Sequence, residues 1–147
     1  EAAIREMGSL TARRGVVFGC VWDYRGGMEF LRCFWDAATA LDANARALDE
    51  GERFPLCRPD ALRSVFRAGG LSDVRCEPIE IPTEFAGFDD YWQPLLGGTG
   101  PAPSYVSSLD ADRRRALASE LARRLPRGPG GTISLTARAL AVCGATP

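Results

Sequence analysis

Two aromatic clusters carry the side chains best suited to holding a small molecule. The first, Trp22-Asp23-Tyr24-Arg25, closes the apolar run Val16-Val17-Phe18-Gly19-Cys20-Val21 and is followed by Gly26 and Gly27. It places a flat ring, a carboxylate, a phenol and a guanidinium side by side. Asp23 either orients a donor on a ligand or pairs with Arg25, and Tyr24 offers a hydroxyl to an acceptor oxygen. The second cluster is Tyr91 and Trp92 within Phe85–Leu96, with Tyr105 just past the breaker Gly97-Gly98-Thr99-Gly100-Pro101-Ala102-Pro103. An aromatic helix beside a Gly/Pro-rich loop suits a mobile lid over an apolar substrate. The alternative is that Tyr91 and Trp92 anchor an inserted helix to the body of the domain.

Other chemistries are excluded by what is missing. The sequence contains no histidine, so the commonest general base and metal ligand is unavailable within the chain. Its basic residues are all arginine. Cys20, Cys33, Cys57, Cys76 and Cys143 are odd in number and scattered, with no Cys-x-x-Cys pair, which argues against structural zinc. They are expected to be buried free thiols in a reducing cytoplasm, and no base accompanies them as nucleophiles. With 18 basic against 19 acidic residues, neither a nucleic acid nor a membrane surface is an expected partner. Arg113, Arg114, Arg115, Arg123 and Arg124 share their surface with Asp110, Asp112 and Glu120 and read as a solvated face. No stretch reaches the roughly twenty apolar residues of a membrane span, and no signal peptide opens the chain, so a cytoplasmic location is expected.

The elements that position both clusters follow from periodicity. Ile4, Met7 and Leu10 mark a helix tail. Arg13-Arg14-Gly15 is a turn, and Val16 to Val21 is a short apolar run bounded by glycines, a strand buried on both faces. A long helix is expected from Met28 through Leu48, with Phe30, Leu31, Phe34, Trp35, Ala38, Leu41 and Leu48 as its stripe. Phe34 and Trp35 read as core, and Arg46, Asp49, Glu50, Glu52 and Arg53 as a solvated exit. Pro59 opens another helix, with Leu62, Val65 and Phe66 buried and Gly69-Gly70 as a left-handed stop. Asp73 to Ile81 is a strand that Pro78 and Pro82 confine to a sheet edge. Helices capped near Asp89 or Asp90 and near Ser108 or Asp110 follow, the last burying Leu117, Leu121 and Leu125. Thr132 to Cys143 alternates Ser134, Thr136 and Arg138 against Ile133, Leu135 and Ala137, as an antiparallel strand with one polar face does. Open α/β sheets place ligands outside the carboxyl ends of their strands, which is where Trp22 to Arg25 fall.

The run Glu6-Met7 … Arg14-Gly15-Val16-Val17-Phe18-Gly19-Cys20-Val21-Trp22-Asp23 resembles the later half of a class I S-adenosylmethionine-dependent methyltransferase of the type 11-like kind. The resemblance continues through Phe54-Pro-Leu-Cys-Arg-Pro-Asp-Ala-Leu and Phe66-Arg-Ala-Gly-Gly-Leu-Ser-Asp-Val, which look like the next helix and the sixth strand. It implies an α/β fold: a partial Rossmann-like sheet of about three strands, the last antiparallel and inserted between the other two. Helices would cover both faces. Residues 1–147 would form a single domain, the C-terminal half of a methyltransferase fold, with residues 83–130 a helical insertion before the last strand.

The family's first-strand glycine loop and the acidic residue that binds the cofactor ribose are absent. The resemblance therefore implies a substrate-side portion acting on a small-molecule acceptor, inactive alone. S-adenosylmethionine would be used by the intact enzyme and not bound by this chain. By position, the substrate-binding candidates are Trp22, Asp23, Tyr24, Arg25, Tyr91, Trp92 and Tyr105, with no cofactor or metal ligand among them. The outer edge of strand 16–21 would lack its neighbour, so a homodimer or swapped oligomer covering that edge is expected. A non-catalytic ligand-binding or dimerisation module derived from the same fold is the alternative.

Overall fold

The computed structural model describes residues 1–147 as an α/β domain with one open antiparallel sheet of three strands in the order β1-β3-β2. The elements are α1 (Ala2–Leu10), β1 (Val16–Trp22), α2 (Glu29–Leu41), a 3-10 segment (Ala43–Leu48), α3 (Glu50–Arg53), α4 (Pro59–Ala68), β2 (Ser72–Phe85), α5 (Phe88–Gly97), α6 (Pro101–Ser108), α7 (Ala111–Arg124) and β3 (Ile133–Ala145). β3 lies in the middle and runs antiparallel to both neighbours, so β1 and β2 point the same way. Pro78 and Pro82 do sit on an edge strand, where a missing N–H costs no ladder bond.

The pairing register decides which residues share a face. Trp22, Ala139 and Ile79 form one row across the sheet, and Phe18, Cys143 and Arg75 another. Toward its start, β3 turns Ile133, Leu135 and Ala137 into the main core, with Phe34, Trp35, Tyr105, Leu117 and Leu121 of the helices. Toward its end, Leu140 and Val142, of opposite parity, face a second core built by Val17, Leu62, Phe66 and Leu71. Helices therefore cover both faces, but over different halves of the strand. The single polar face expected of β3 is accordingly corrected: its alternation changes sides after Ala137, because each half is buried by a different helix set.

Four further expectations need correcting. β1 is not buried on both faces: Val16, Phe18, Cys20 and Trp22 are exposed, because no helix covers that side. The long helix stops at Leu41, since the Asp42 side chain accepts the Asn44 N–H and opens a separate 3-10 turn. Asp49 and Glu50, expected in a solvated exit, are buried. β2 runs on to Phe85, so the helical insertion begins after it, at α5. Asp110 caps α7 by accepting the Arg113 N–H, as expected, whereas Asp90 accepts from Ala86 ahead of α5. Gly70, at φ 91°, is the left-handed stop after α4. Thr146 ties the end of the chain to the turn before β1, donating to the Ala12 carbonyl at 2.7 Å and accepting from Gly15 N–H at 3.0 Å. No helix is long and apolar enough to cross a membrane.

Candidate functional site

The loop after β1 is held from within. Asp23, 5 % exposed, accepts the Gly26 N–H at 2.8 Å and pairs with Arg138 Nη1 at 3.1 Å. Arg138 in turn donates to Glu80 at 2.7 Å, so one guanidinium ties β1, β3 and β2 together. A side chain at Gly27 would meet Arg138 at 2.2 Å, which is why the second glycine of the pair is needed. Asp23 and Arg25 do not pair. Arg25 reaches Glu52 at 2.9 Å, a residue that also takes Arg46. The reason is geometric: Asp23 points into the turn and toward β3, and Arg25 points out toward α3.

Tyr24 is half-buried against the Phe54 ring at a centroid separation of 5.5 Å. Burial first, then the Glu50 and Cys57 charges, raise its hydroxyl above the ordinary tyrosine range. Beneath it Trp35 Nε1 donates to the buried Glu50 at 2.5 Å, and Arg32 pairs with buried Asp49. Desolvation and nearby Asp23 likewise push the Cys57 thiol up, away from a nucleophilic thiolate.

Of the seven candidates, Trp22 is the only one on the open face of the sheet, 45 % exposed beside Ala139 and Ile79. Tyr91 and Trp92 are core residues. Trp92 stacks on Phe88 at 6.0 Å, and Tyr91 donates its hydroxyl to the Phe30 carbonyl at 2.7 Å. Burial raises the Tyr91 pKa far above its ordinary value. Both residues thus anchor α5, and the lid arrangement is not what the structure holds. Tyr105 belongs to α6, packs edge-on to Phe34 at 6.3 Å and lines a different pocket from Tyr91. The seven residues therefore do not converge on one cavity.

Of the seven, only Tyr91 and Tyr105 line the two cavities here, one in each. Phe30, Thr83, Phe85, Tyr91, Pro94 and Leu95 line an apolar pocket of about 260 Å³. Because the Trp22 row ends at Ile79, Thr83 and Phe85 lie past the carboxyl end of β1. Tyr91's hydroxyl is already committed to the Phe30 carbonyl, which leaves the lining apolar apart from Thr83. A larger pocket of about 400 Å³ lies between the end of α2, α6 and α7, with Tyr105 in its wall. Phe30, Thr83, Glu50 and Arg138 were not among the sequence candidates. Only Arg138 left a signal there, as a charge in an alternating strand, and its partners depended on register.

No group of three or more His, Cys, Asp or Glu side chains is placed to hold a metal ion. The Gly26-Gly27 turn is filled by Asp23 and Arg138, and each Asp23 oxygen is already engaged, one by the Gly26 N–H and one by Arg138. All five cysteines are free; Cys20 is exposed and Cys76 buried. No family model matches this chain, and comparison with curated proteins gave no significant match.

Proposed function

We propose that this chain is the substrate-side, C-terminal portion of a class I S-adenosylmethionine-dependent methyltransferase acting on a small apolar acceptor. The observation that carries the reading is the strand order. A reversed strand lies between two parallel ones, with the apolar outer edge of β1 unpaired. That is the arrangement implied by the resemblance of the Arg14 to Asp23 run and the Phe66 to Val74 run to the later, Rossmann-like half of that family. The acceptor sits past the carboxyl end of β1, in the pocket of Phe30, Thr83, Phe85 and Leu95. Methyl transfer to an electron-rich acceptor depends chiefly on alignment and needs little acid–base help, which suits a chain without histidine.

The cofactor would be held by a part of the protein that pairs with the β1 edge. Titration of S-adenosylmethionine into this chain in a calorimeter is expected to give no heat. Saturable binding would overturn the half-enzyme assignment. The same open edge also serves a second reading, a non-catalytic ligand-binding or dimerisation module built on the half-fold. The coding sequence upstream of Glu1 separates the two. A strand followed by a Gly-x-Gly loop favours the methyltransferase, and a start codon immediately before favours the module.

A further inference from the structure

Three elements build the smaller pocket, and three of its six lining residues are aromatic. Phe30 comes from the first turn of α2, Thr83 and Phe85 from the end of β2, and Tyr91, Pro94 and Leu95 from α5. No charged side chain is among them. The Phe85 and Tyr91 rings meet edge-on, with centroids 5.3 Å apart and planes at 75°. Tyr91 is held in place: it is 3 % exposed, and its hydroxyl donates to the Phe30 carbonyl at 2.7 Å, tying α5 to the start of α2. Phe30 and Phe85 are only partly buried against the main core, so both keep ring surface uncovered. Thr83 lies two residues before Phe85 on the same strand face and opposite Leu135. Its side chain is short where its neighbours on that face are large, which leaves room on the sheet side of the pocket.

We propose that this pocket binds an uncharged ligand bearing a single aromatic ring, seated against Phe30, Phe85 and Tyr91. At about 260 Å³ it has room for one substituted ring, since an apolar cavity of roughly 150 Å³ already accepts benzene. Aromatic rings favour edge-to-face and offset contacts with other rings, which a saturated ring of the same size does not make. A charged ligand gives up its hydration and finds no partner in the lining. Naming this ring as the methyl acceptor rests on the methyltransferase reading; its binding does not.

The test is calorimetric titration of the chain with p-cresol, 4-methylcyclohexanol and p-toluate. The second ligand saturates the ring and the third adds a carboxylate. p-Cresol is expected to bind saturably, 4-methylcyclohexanol about fivefold more weakly and p-toluate about tenfold or more weakly. Thr83→Phe places a strand-favouring residue on an edge strand and fills the pocket, so p-cresol should lose about tenfold or more in affinity with the far-UV circular dichroism unchanged. If that variant does not fold, Thr83→Leu is expected to give a smaller loss in the same direction. Absence of saturable p-cresol binding, equal binding of either analogue, or undiminished binding by the folded variant would overturn the assignment. No cofactor enters these titrations, so a negative result leaves the half-enzyme reading to its own test with S-adenosylmethionine.

Discussion

One face of the sheet is treated in two ways along the same central strand. At its beginning, Ile133, Leu135 and Ala137 lie beneath α2, α5, α6 and α7, where Phe34 and Trp35 are completely buried. Beyond Ala137 the same face carries Ala139, Ala141, Cys143 and Ala145, flanked by Val16, Phe18 and Trp22 on β1 and Ile79 on β2. Nothing covers this half, and Phe18 is 57 % and Val16 64 % exposed. The composition of the two halves is alike, so apolarity does not distinguish core from surface here. What distinguishes them is whether a helix is supplied. This apolar face next to an unpaired strand edge is what the homodimer expected from the sequence would cover.

The sharpest test of the difference is a pair of tryptophan truncations. Trp35→Ala is expected to cost about 3–5 kcal/mol, enough to threaten a fold of ordinary stability. Trp22→Ala on the open half should change stability by no more than about 0.5 kcal/mol. Urea unfolding at matched protein concentration measures both, and a large loss at Trp22 would mean the open half is buried in solution. Removing Arg138 strands the buried Asp23 carboxylate with only the Gly26 N–H. Arg138→Ala should therefore lower stability by about 1–3 kcal/mol in the same experiment.

Association tests the open half directly. The chain is expected to be dimeric by light scattering, with the β1 edge and its apolar face covered, and Phe18→Lys should shift it to monomer without loss of helical signal. A clean wild-type monomer at high concentration would break the comparison. The smallest effect concerns the outer face of α7. Hydrogen bonds from Arg123 and then Arg124 lower the Glu120 pKa to about 2. A carboxylate depressed by folding contributes stability above its unfolded value, near 4.5, and loses that contribution as pH falls through about 2. Wild type and Glu120→Gln should therefore differ slightly at neutral pH and converge by pH 2, as thermal melts across that range would show. A constant difference would place Glu120's role in packing.

Much of the fold was legible because short-range rules govern it. Pro59 opening α4, Gly70 closing it, Asp110 capping α7 and the prolines marking β2 as an edge strand each depend on a few adjacent residues. The expectation of a third strand inserted between the first two came from resemblance and matches the observed order. The failures were of another kind. Asp49 and Glu50 looked like surface charges, yet they are buried because Arg32 and Trp35, more than ten residues away, supply a guanidinium and an indole N–H. The seven site candidates were grouped by chain position and aromatic character. Neither property shows that Tyr91's hydroxyl goes to Phe30, or that Tyr105 faces a different cavity.

The sequence by itself determined the α/β class, the positions of most helices and strands, and the lack of histidine, since composition and local backbone preference suffice for these. Only the tertiary structure decided which carboxylates are buried against which donors, and which faces of β3 are covered. Those outcomes depend on strand register and helix docking. A shift of one residue in the first turns every side chain of a strand to the other face.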